Sequence, residues 1–443
     1  METERNGKKR VVVTGLGAYT CLGHTPEQMW QNLLAGRSGV SRISIFDASD
    51  FPITIAGEVP DFDPVAINGP EWAGRAERYI QVGLAAAVQA VNNAGLDIEN
   101  GDLRDAGVVV SNAHGQWDCM PDVTRQWIAE GTYEYGNGPR LWKDARTYYE
   151  KKLGPAAFNP GLTILMNYDM PTSFISERLG ANGPRFTVSS ACVSGAKSIE
   201  RAVRMIRHNQ ADIVVTGGSE SDVTEYSIWF LDAMQALTSH CDIPEQASQP
   251  FDKNRSGFVM AEAGAILILE SLEHALKRDA DILAEVVGVG GSANAYSLYA
   301  PEPIGEGPAG AMEAALRDAG MNYDEIDSVF AHATATEVGD PAEAGGIKMV
   351  LRDKATSVPV TATKSMMGHS IGAAGAVGAI QCIYAVRTGT IPHTVNLVDL
   401  DESCEGIFIV RDEPYEGDVK TAANNAFGFG GANATNIFQR FTG

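Results

Sequence analysis

Short runs of β-branched residues alternate with helical patterns along this chain, and this alternation limits the possible folds more than any other feature. The run at 10–17 is rich in valine and ends in glycines, which predicts a buried strand followed by a tight turn. Further strand patterns occur at 107–111, 187–191, 211–218, 282–291, 328–332, 358–363 and 421–426. Helical patterns at 195–208, 309–319 and 341–351 lie between them. Strands that alternate with helices predict an α/β fold with buried sheets.

The second half of the chain loosely repeats the first. Each half opens with a valine- and glycine-rich strand pattern, and each later contains a strand that ends near a reactive residue, Cys192 in one half and His332 in the other. We therefore expect an internal duplication, with residues 1–275 and 276–443 as two similar halves. Because no low-complexity linker separates them, we expect the halves to pack as one rigid body.

One segment, 116–150, is unusually aromatic. It holds three of the six tryptophans in the 443-residue chain, together with several tyrosines. A disordered linker would be poor in aromatic residues. We therefore expect an ordered aromatic cap, inserted in the first half, that packs on a pocket or on a partner subunit.

Charge and hydropathy exclude several classes of function. The 34 basic and 56 acidic side chains give a net charge of −22, which disfavours nucleic acids and anionic membranes as partners. The chain opens with a polar segment rather than an apolar signal region, and the apolar stretches, such as 265–269, look too short to cross a bilayer. We expect a cytoplasmic protein.

The cysteines do not form a recognisable pattern. Six are scattered along the chain without a C-x-x-C pair, and no H-E-x-x-H motif or clustered cysteine and histidine ligands occur. In a cytoplasmic protein these thiols should be reduced. We therefore expect no metal site.

Cys192 has the position of a reactive thiol. It lies between a strand pattern and a helical pattern, so it is expected at a helix N-terminus, where free N–H groups favour a thiolate. A small buried cysteine at a tight strand–helix junction explains this local pattern equally well.

Two segments in the second half carry further candidate residues. His332 follows a strand pattern, and Asp340 precedes a proline at the expected start of a helix, which suggests an N-cap. Lys364 and His369 flank a glycine-rich turn that opens a helix of small residues, a pattern that close helix packing also explains. The glycine-rich run at 424–433 would let the backbone approach a ligand.

Taken in order, these motifs resemble those of the elongating β-ketoacyl-[acyl-carrier-protein] synthases of the thiolase superfamily. The matching motifs are Ala-Cys-x-Ser-Gly, His-x-Thr-x-Thr, Lys-Ser-Met-x-Gly-His, Asn-x-Phe-Gly-Phe-Gly-Gly-x-Asn and Pro-Phe-Asp-Lys-x-Arg-x-Gly-Phe. The resemblance runs from about residue 10 to residue 438. It implies a thiolase-like α/β fold, with two duplicated βαβαβαββ halves in a five-layer α-β-α-β-α arrangement.

The resemblance implies a decarboxylative Claisen condensation of an acyl thioester on Cys192 with malonyl-[acyl-carrier-protein], giving a β-ketoacyl-[acyl-carrier-protein]. His332 and His369 would bind the malonyl thioester carbonyl and stabilise the enolate that forms as carbon dioxide leaves. The backbone N–H groups of Cys192 and Phe429 would form the oxyanion hole. The substrates would be carried on the phosphopantetheine of the carrier protein, with no separate cofactor.

Supporting roles follow from the same resemblance. Lys364 would orient the histidines, with Glu343 as its partner and Asp340 supporting the same region. Thr334 and Thr336 would bind the phosphopantetheine arm.

Partners are also implied. These enzymes act on an acyl carrier protein and form homodimers, or heterodimers with a related ketosynthase or chain-length factor. Carrier proteins are typically acidic, so an acidic chain needs a local basic patch to dock them. Arg75 and Arg78 match the family's basic docking site.

The sequence departs from the family pattern in places. The usual His-Gly-Thr-Ser-Thr is His-Ala-Thr-Ala-Thr here, so Ala333 adds a methyl group beside His332, and Ala-Glu-Ala-Gly-Ala replaces Gly-Asp-Gly-Ala-Gly at 261–265. His114 falls where long-chain enzymes carry an apolar gate, so it is a candidate gate to the acyl pocket together with Phe429. A hydrogen bond at a subunit interface is the alternative for His114. These changes favour a specialised synthase of a type II polyketide, polyene or fatty acid pathway.

Related classes fit less well. A non-elongating chain-length factor usually lacks the cysteine, and a degradative thiolase uses a second cysteine in the C-terminal glycine-rich motif, which is absent at 424–433. Initiating synthases use Cys-His-Asn, whereas this chain has His369 in addition to His332. An acyltransferase-type ketosynthase and a chain-length-factor-like subunit stay as the alternatives to an elongating synthase.

Overall fold

A computed structural model describes residues 2–114, 167–297 and 302–443 of the chain. The predicted aromatic cap at 116–150, which includes Cys119, lies outside the described residues. The described α-helices are α1 (Pro26–Leu34), α2 (Pro64–Asn68), α3 (Pro70–Ala73), α4 (Arg78–Asn93), α5 (Met170–Leu179), α6 (Ser194–Arg207), α7 (Glu225–Ala233), α8 (Leu272–Lys277), α9 (Glu306–Ala319), α10 (Gly339–Leu351), α11 (Lys364–Met367) and α12 (Ala374–Thr388).

The strands range from isolated two-residue pairs to long central strands. They are β1 (Glu4–Arg5), β2 (Lys8–Lys9), β3 (Val11–Thr20), β4 (Ser41–Arg42), β5 (Ile55–Ala56), β6 (Gly107–Ser111), β7 (Arg185–Val188), β8 (Ile213–Glu220), β9 (Ala263–Ser271), β10 (Ala284–Ala293), β11 (Ser328–Phe330), β12 (Pro359–Thr361), β13 (Thr390–Ile391), β14 (Phe408–Ile409), β15 (Tyr415–Glu416), β16 (Thr421–Gly428) and β17 (Ala432–Gln439).

The main sheet contains the same strand arrangement twice. The first half contributes the order β3-β9-β8-β6-β7, and the second half contributes β10-β17-β16-β11-β12, with β14 added at its edge. In both halves the last three strands of this order run parallel to one another, whereas the first two pairings are antiparallel. The expected internal duplication is therefore confirmed in the strand order.

The elements stack in five layers. Helices α4 and α5 pack on the outer face of the first half-sheet, and α9 packs with α10 on the outer face of the second. Helices α6 and α12 contact each other and strands of both half-sheets, so they form the central layer. This is the predicted α-β-α-β-α arrangement of a thiolase-like fold.

The two half-sheets share hydrogen bonds as well as the central helices. Strands β3 and β10 pair antiparallel, with Val13 opposite Ala284 and Val12 opposite Glu285. The predicted boundary at residue 275 lies within α8, between β9 of the first half and β10 of the second.

The first strand corrects one prediction. The sequence indicated a turn at its glycines, but β3 continues through them to Thr20. A Cβ atom at Gly15 would lie 2.2 Å from the carbonyl oxygen of Ala90, and one at Gly17 would lie 1.9 Å from that of Ala86. These glycines therefore allow α4 to pack directly on the strand backbone rather than ending the strand.

One apolar segment is longer than the sequence inspection indicated. Residues Ile371–Thr388 satisfy the length and composition of a membrane span, with a mean hydropathy of 1.2. However, 78% of this window is buried inside the protein, where α12 lies between the two half-sheets. The segment is thus the core helix of the central layer.

Candidate active site

The candidate residues lie in loops that follow strands of both half-sheets. Cys192 follows β7, His332 follows β11, and His369 follows α11, the short helix that comes after β12. The carboxyl ends of parallel strands meet at one edge of a sheet, and ligands bind there in open α/β sheets. The Sγ of Cys192 and a ring nitrogen of each histidine all lie within 4.8 Å of one another.

Cys192 sits on a tight turn between β7 and α6. The preceding residue, Ala191, has φ of +48°, a left-handed conformation that an alanine adopts only at a cost. The hydroxyl of Ser194 fixes the turn, because it donates to the carbonyl of Ala191 at 2.6 Å and accepts from the N–H of Ser190 at 2.7 Å. The predicted strand–cysteine–helix junction is present, and Cys192 is 4% exposed.

The protonation of Cys192 differs from the expectation of a ready thiolate. Burial raises the pKa of the Cys192 thiol to about 12, and the charge of Lys364 and the N–H groups of Phe429 and Cys192 lower it only in part. Desolvation of the anion therefore outweighs the helix N-terminus. The resting thiol is protonated at neutral pH.

The two histidines face each other at right angles. The ring centroids of His332 and His369 are 5.2 Å apart with an interplanar angle of 86°, and Phe258 packs edge-on against His369. Burial, reinforced by the charge of Lys364, lowers the pKa of both imidazoles well below the usual value, so both are neutral. Neither nitrogen of His369, nor Nδ1 of His332, has a partner among the described residues.

Glu343 holds the loop that carries His332. Its carboxylate accepts the backbone N–H groups of His332 at 2.9 Å and Ala333 at 2.7 Å, and the side-chain amide of Asn425 at 3.2 Å. Burial raises the pKa of Glu343, although these N–H donors oppose the effect. Asn425 lies in the glycine-rich motif but was not among the predicted site residues.

Asp340 was expected to cap a helix, and this is wrong. Helix α10 begins at Gly339, so Asp340 lies in its first turn, and its carboxylate accepts the N–H groups of Phe251 at 2.8 Å and Ala335 at 3.1 Å. Burial raises the pKa of Asp340 to about 7. Because Ala335 lies in the His-Ala-Thr-Ala-Thr loop, Asp340 supports that loop directly.

Lys364 is partly buried at the start of α11. Burial lowers the pKa of its ammonium group to about 8, against the opposing charges of Glu343, Cys192 and Asp340. The oxygens of Glu343 bond to backbone groups, and within the described residues Lys364 makes no ion pair shorter than 4.0 Å. The electrostatic coupling between Lys364 and Glu343 is thus longer in range than a salt bridge.

A cavity of about 750 Å³ leads to these groups. Thr334 and Thr336 line it, and their hydroxyl oxygens are 3.3 Å apart. Other residues that line the cavity include Cys192, Asp232, Gln235, His332, Glu337, Val338, His369 and Phe429. The residues that line the cavity range from fully buried ones to exposed ones such as Val338. The cavity therefore connects the thiol of Cys192 with solvent.

The glycine-rich loop approaches the nucleophile closely. A Cβ atom at Gly428 would lie 3.2 Å from the backbone nitrogen of Cys192, and Gly430 and Gly431 have φ of +81° and +77°. Only glycine adopts such backbone without strain. This arrangement places the backbone of Phe429 beside the thiol.

His114 does not line this cavity in the described part of the chain. Its Nδ1 makes a short hydrogen bond with the carboxylate of Asp222, which also accepts the hydroxyl of Ser227 at 2.5 Å. Burial opposes protonation, but the charges of Asp222 and Glu220 prevail and raise the pKa of His114 to about 9. Ala113, the residue before His114, belongs to the same buried apolar cluster as Cys192. The role of His114 as a gate to the acyl pocket stays a prediction.

The predicted docking arginines are largely occupied within the protein. Arg78 forms a 2.6 Å ion pair with the buried Glu262, and Arg75 pairs with Glu177 at 2.9 Å. Trp72 also packs against the Arg75 guanidinium. Arg78 therefore stabilises the fold, and only Arg75 keeps substantial exposure.

The cysteine and the two histidines have the mutual spacing of metal ligands. No ligand motif is visible in the sequence, because the three residues come from separate loops. A protonated thiol and neutral imidazoles that face an open cavity are equally suited to acyl transfer. The expectation of no metal site stays a prediction.

A thiolase-like fold in which a buried cysteine and two neutral histidines meet at a cavity defines the class of condensing enzymes, which are acyltransferases. Residues 8–275 match the beta-ketoacyl synthase N-terminal domain, and residues 283–398 match the beta-ketoacyl synthase C-terminal domain. The chain therefore belongs to the beta-ketoacyl synthase family, which confirms the resemblance seen in the sequence.

Curated relatives match over almost the whole chain. The 3-oxoacyl-[acyl-carrier-protein] synthase 2 of Coxiella burnetii is 40% identical over 98% of this chain and 99% of its own length. The synthase of the same name from Vibrio harveyi is 36% identical with the same coverage.

Solved structures give a similar result. The ishigamide ketosynthase/chain length factor superimposes with a TM-score of 0.84 at 34% identity, covering 98% of this chain and 100% of that chain. A type II polyketide ketosynthase in complex with its acyl-carrier protein gives a TM-score of 0.84 at 26% identity and the same coverage.

Proposed function

We propose that Cys192, His332, His369 and Lys364 form the catalytic centre of an elongating synthase, which condenses an acyl group with malonyl-[acyl-carrier-protein]. The observation that carries this proposal is the convergence of one thiol and two neutral imidazoles within 4.8 Å at the end of a solvent-connected cavity. A chain-length factor would not need this set of groups. The two histidine rings offer N–H donors where negative charge develops during decarboxylation.

The first step is acyl transfer to Cys192. The sulfur attacks the thioester carbonyl, the bond to the phosphopantetheine sulfur breaks, and the departing thiol takes the proton that Cys192 loses. Because the resting thiol is protonated, a base is needed, and a neutral imidazole nitrogen of His332 or His369 is near enough to accept the proton. The N–H groups of Cys192 and Phe429 stabilise the oxyanion.

The second step is decarboxylation of the malonyl thioester. The bond between the α-carbon and the carboxylate breaks, carbon dioxide leaves, and the electron pair becomes an enolate. His332 and His369 donate N–H hydrogen bonds to the enolate oxygen. The α-carbon then attacks the acyl carbonyl on Cys192, the carbon–carbon bond forms, and the bond from the carbonyl carbon to the Cys192 sulfur breaks. Cys192 leaves as a thiolate, which takes up a proton from solvent through the cavity.

Supporting residues set the geometry of this centre. Glu343 and Asp340 hold the loop that presents His332 through its backbone, and Lys364 tunes the nearby thiol and imidazoles by charge. Thr334 and Thr336 line the cavity with hydroxyl groups suited to the amides of a phosphopantetheine arm. Substrates carried on this arm need no further cofactor.

The names of the relatives guide the choice of partners. They include 3-oxoacyl-[acyl-carrier-protein] synthases, a ketosynthase of a type II polyketide pathway seen with its acyl-carrier protein, and a ketosynthase/chain length factor. We infer that an acyl carrier protein delivers the substrates and that the chain acts in the cytoplasm as a dimer, either with itself or with a related subunit. Its pathway is a fatty acid pathway or a specialised polyketide or polyene pathway.

Intact-protein mass spectrometry can test the proposal. Wild type exposed to a panel of acyl carrier proteins and acyl-CoAs should gain one acyl mass, and Cys192→Ala should gain none. His369→Ala should still load acyl groups, because the imidazole of His332 is left to accept the thiol proton. It should lose most malonyl decarboxylation, because the N–H donor of His369 acts on the enolate only when charge develops there. Cys382→Ala provides a matched control at a buried thiol that does not line the cavity. Elongation by Cys192→Ala would refute the proposal.

A further inference from the structure

The three groups that meet at the buried end of the cavity are also ligands that zinc prefers. The Sγ of Cys192 and one ring nitrogen from each of His332 and His369 all lie within 4.8 Å of one another. Within residues 2–114, 167–297 and 302–443, they are the only set of three cysteine, histidine or acidic side chains close enough to share one ion. A thiolate with two imidazoles suits zinc, whereas magnesium and calcium bind oxygen ligands.

The histidine nitrogens are free to accept an ion. Neither nitrogen of His369, nor Nδ1 of His332, has a hydrogen-bond partner among the described residues. Both side chains are nevertheless more than nine-tenths buried, as is Cys192. Buried polar atoms in native structures nearly always have a partner, and a metal ion is one that these nitrogens can take.

The geometry of a zinc site is within reach of the side chains. Zinc bonds of about 2.3 Å to sulfur and about 2.1 Å to nitrogen place tetrahedral ligands roughly 3.3–3.6 Å apart, so the three atoms must approach by at most about 1.5 Å. Side-chain rotation can supply this movement, because the backbone is already fixed. Glu343 accepts the N–H of His332 at 2.9 Å, and the N–H of His369 donates to the carbonyl of Val259 at 2.7 Å.

The cavity supplies the remaining coordination position. Cys192, His332 and His369 all line the cavity of about 750 Å³ that connects the thiol with solvent. Three protein ligands with a fourth position open to water are the usual arrangement of accessible zinc sites. The same cavity gives the ion its route from solvent to the thiol.

We propose that Cys192, His332 and His369 bind a zinc ion and that this ion inhibits the enzyme reversibly. The S–H bond of Cys192 breaks, its proton passes to solvent, and the sulfur and one nitrogen of each imidazole bind the ion without any transfer of electrons between oxidation states. The condensation itself needs no metal, so zinc is an inhibitor here and not a cofactor. The inhibition rests on the proposed function, whereas the binding of zinc does not.

Acylation and zinc binding exclude each other. An acyl group on Cys192 converts the sulfur into a thioester, which has no negative charge to offer a metal ion. Zinc should therefore block the loading of the free thiol, and an enzyme that is already acylated should resist zinc.

The probes are Zn²⁺ and Co²⁺, each added alone to wild-type protein from which metals have been removed with a chelator. The chain should bind one ion, with micromolar affinity because no described side chain orients the two imidazoles from behind. Cobalt should produce a thiolate-to-metal charge-transfer band. Zinc should slow the alkylation of Cys192 by iodoacetamide at least about tenfold, as measured by peptide mapping. A large excess of Mg²⁺ should do neither.

Variants assign the ligands. His332→Ala and His369→Ala should each weaken zinc binding about tenfold or more, and Cys192→Ser should also abolish the cobalt band. The matched controls are Cys382→Ala, at another buried thiol, and His393→Ala, at another histidine whose buried Nδ1 has no partner among the described residues. Neither residue lines the cavity, so both controls should bind zinc as wild type does.

Loading by acyl-N-acetylcysteamine gives the functional result. Zinc added before the acyl donor should reduce loading at least about tenfold, a chelator should restore it, and zinc added after loading should leave the acyl mass in place. Failure to load without zinc contradicts the proposed function, whereas normal loading without zinc binding contradicts only this inference.

Equal zinc affinity in wild type and Cys192→Ser would mean an adventitious ion only and would overturn the inference. The same holds if wild type shows neither the cobalt band nor protection from alkylation. Because these two measurements use wild-type protein, the inference can fail even if the histidine variants do not fold.

Discussion

The backbone N–H of His332 donates a 2.9 Å hydrogen bond to the buried carboxylate of Glu343. The other oxygen of that carboxylate accepts the N–H of Ala333 at 2.7 Å, so one side chain fixes two successive peptide groups. Ala333 has φ of +20°, at the edge of the left-handed region. Glu343 therefore maintains a strained loop whose purpose is to present an imidazole.

Replacing Glu343 should impair decarboxylation more than acyl loading. Glu343→Ala removes both acceptors and leaves two buried N–H groups unpaired, so His332 should shift and malonyl decarboxylation should fall by roughly 10²-fold. Glu343→Gln keeps one acceptor and should show a smaller loss. Carbon dioxide release from malonyl-[acyl-carrier-protein] and mass spectrometry of loaded enzyme measure the two steps. Equal losses in both variants and both steps would contradict this role.

The pH dependence of alkylation should reveal the protonated thiol. Because the pKa of Cys192 is raised to about 12, only a small fraction is thiolate at pH 7, and this fraction grows about tenfold per pH unit. The rate of Cys192 modification by iodoacetamide should rise from pH 7 to pH 9 without a plateau. Peptide mapping confines the signal to Cys192, and a small thiol such as glutathione provides the control that levels off. A plateau below pH 8 would show that the thiolate is stabilised in the folded protein.

The ion pair between His114 and Asp222 should stabilise the fold at neutral pH and lose its effect in alkali. The pKa of His114 is raised to about 9, so the stabilisation is fully present below the ordinary histidine pKa and is lost as pH rises through 9. Asp222→Asn should lower the free energy of unfolding by about 1–3 kcal/mol near pH 7.5 and by little near pH 10.

Thermal unfolding of wild type and Asp222→Asn between pH 7.5 and 10 measures this difference. Glu220, whose pKa is raised to about 7, is mostly ionised throughout that range and so contributes little to the slope. The control Asp232→Asn makes the same change at a half-buried aspartate that has no histidine partner among the described residues. A pH-independent difference would contradict the ion pair.

Chain-length selection tests the gate role of His114. His114→Ile alone leaves the buried carboxylate of Asp222 without its cation, which is costly, so the informative variant is the double change His114→Ile/Asp222→Ala. If the charged pair excludes long saturated chains, this variant should gain roughly tenfold or more for them relative to short or polyunsaturated acyl carrier proteins. An unchanged acyl profile would assign the pair to structure alone.

Much of the fold could be predicted from hydrophobic runs, but two features could not. The glycines of β3 look like turn residues, and only the approach of α4 explains why the strand continues through Gly15 and Gly17. Strand β17 has no apolar alternation, because asparagine and threonine side chains occupy several of its buried positions. Thr435 donates to Asn425 at 2.8 Å, and Asn433 donates to Asn294 at 2.6 Å, contacts that no local pattern reveals.

The candidate site likewise has parts that could be predicted from the sequence and parts that could not. Cys192, His332, His369 and Lys364 belong to short motifs, so their types and order were visible in the sequence, and the structure brings them together. The partner of His114 was not visible, because Asp222 lies 108 residues further along the chain and acts only through the tertiary fold. The raised pKa of Cys192 likewise depends on burial, which a helix N-terminus does not indicate.

The duplicated strand order places the loop with His114 and the loop with His332 at equivalent positions in the two half-sheets. Strand β6 occupies the fourth place in the first half-sheet, and β11 occupies the fourth place in the second. His114 follows the one and His332 follows the other, each within three residues of the strand end. A carboxylate locks the first imidazole, whereas the second stays open to substrate. The duplicated fold thus contains two equivalent positions. The residue at one position can change while the histidine that serves the chemistry is kept at the other.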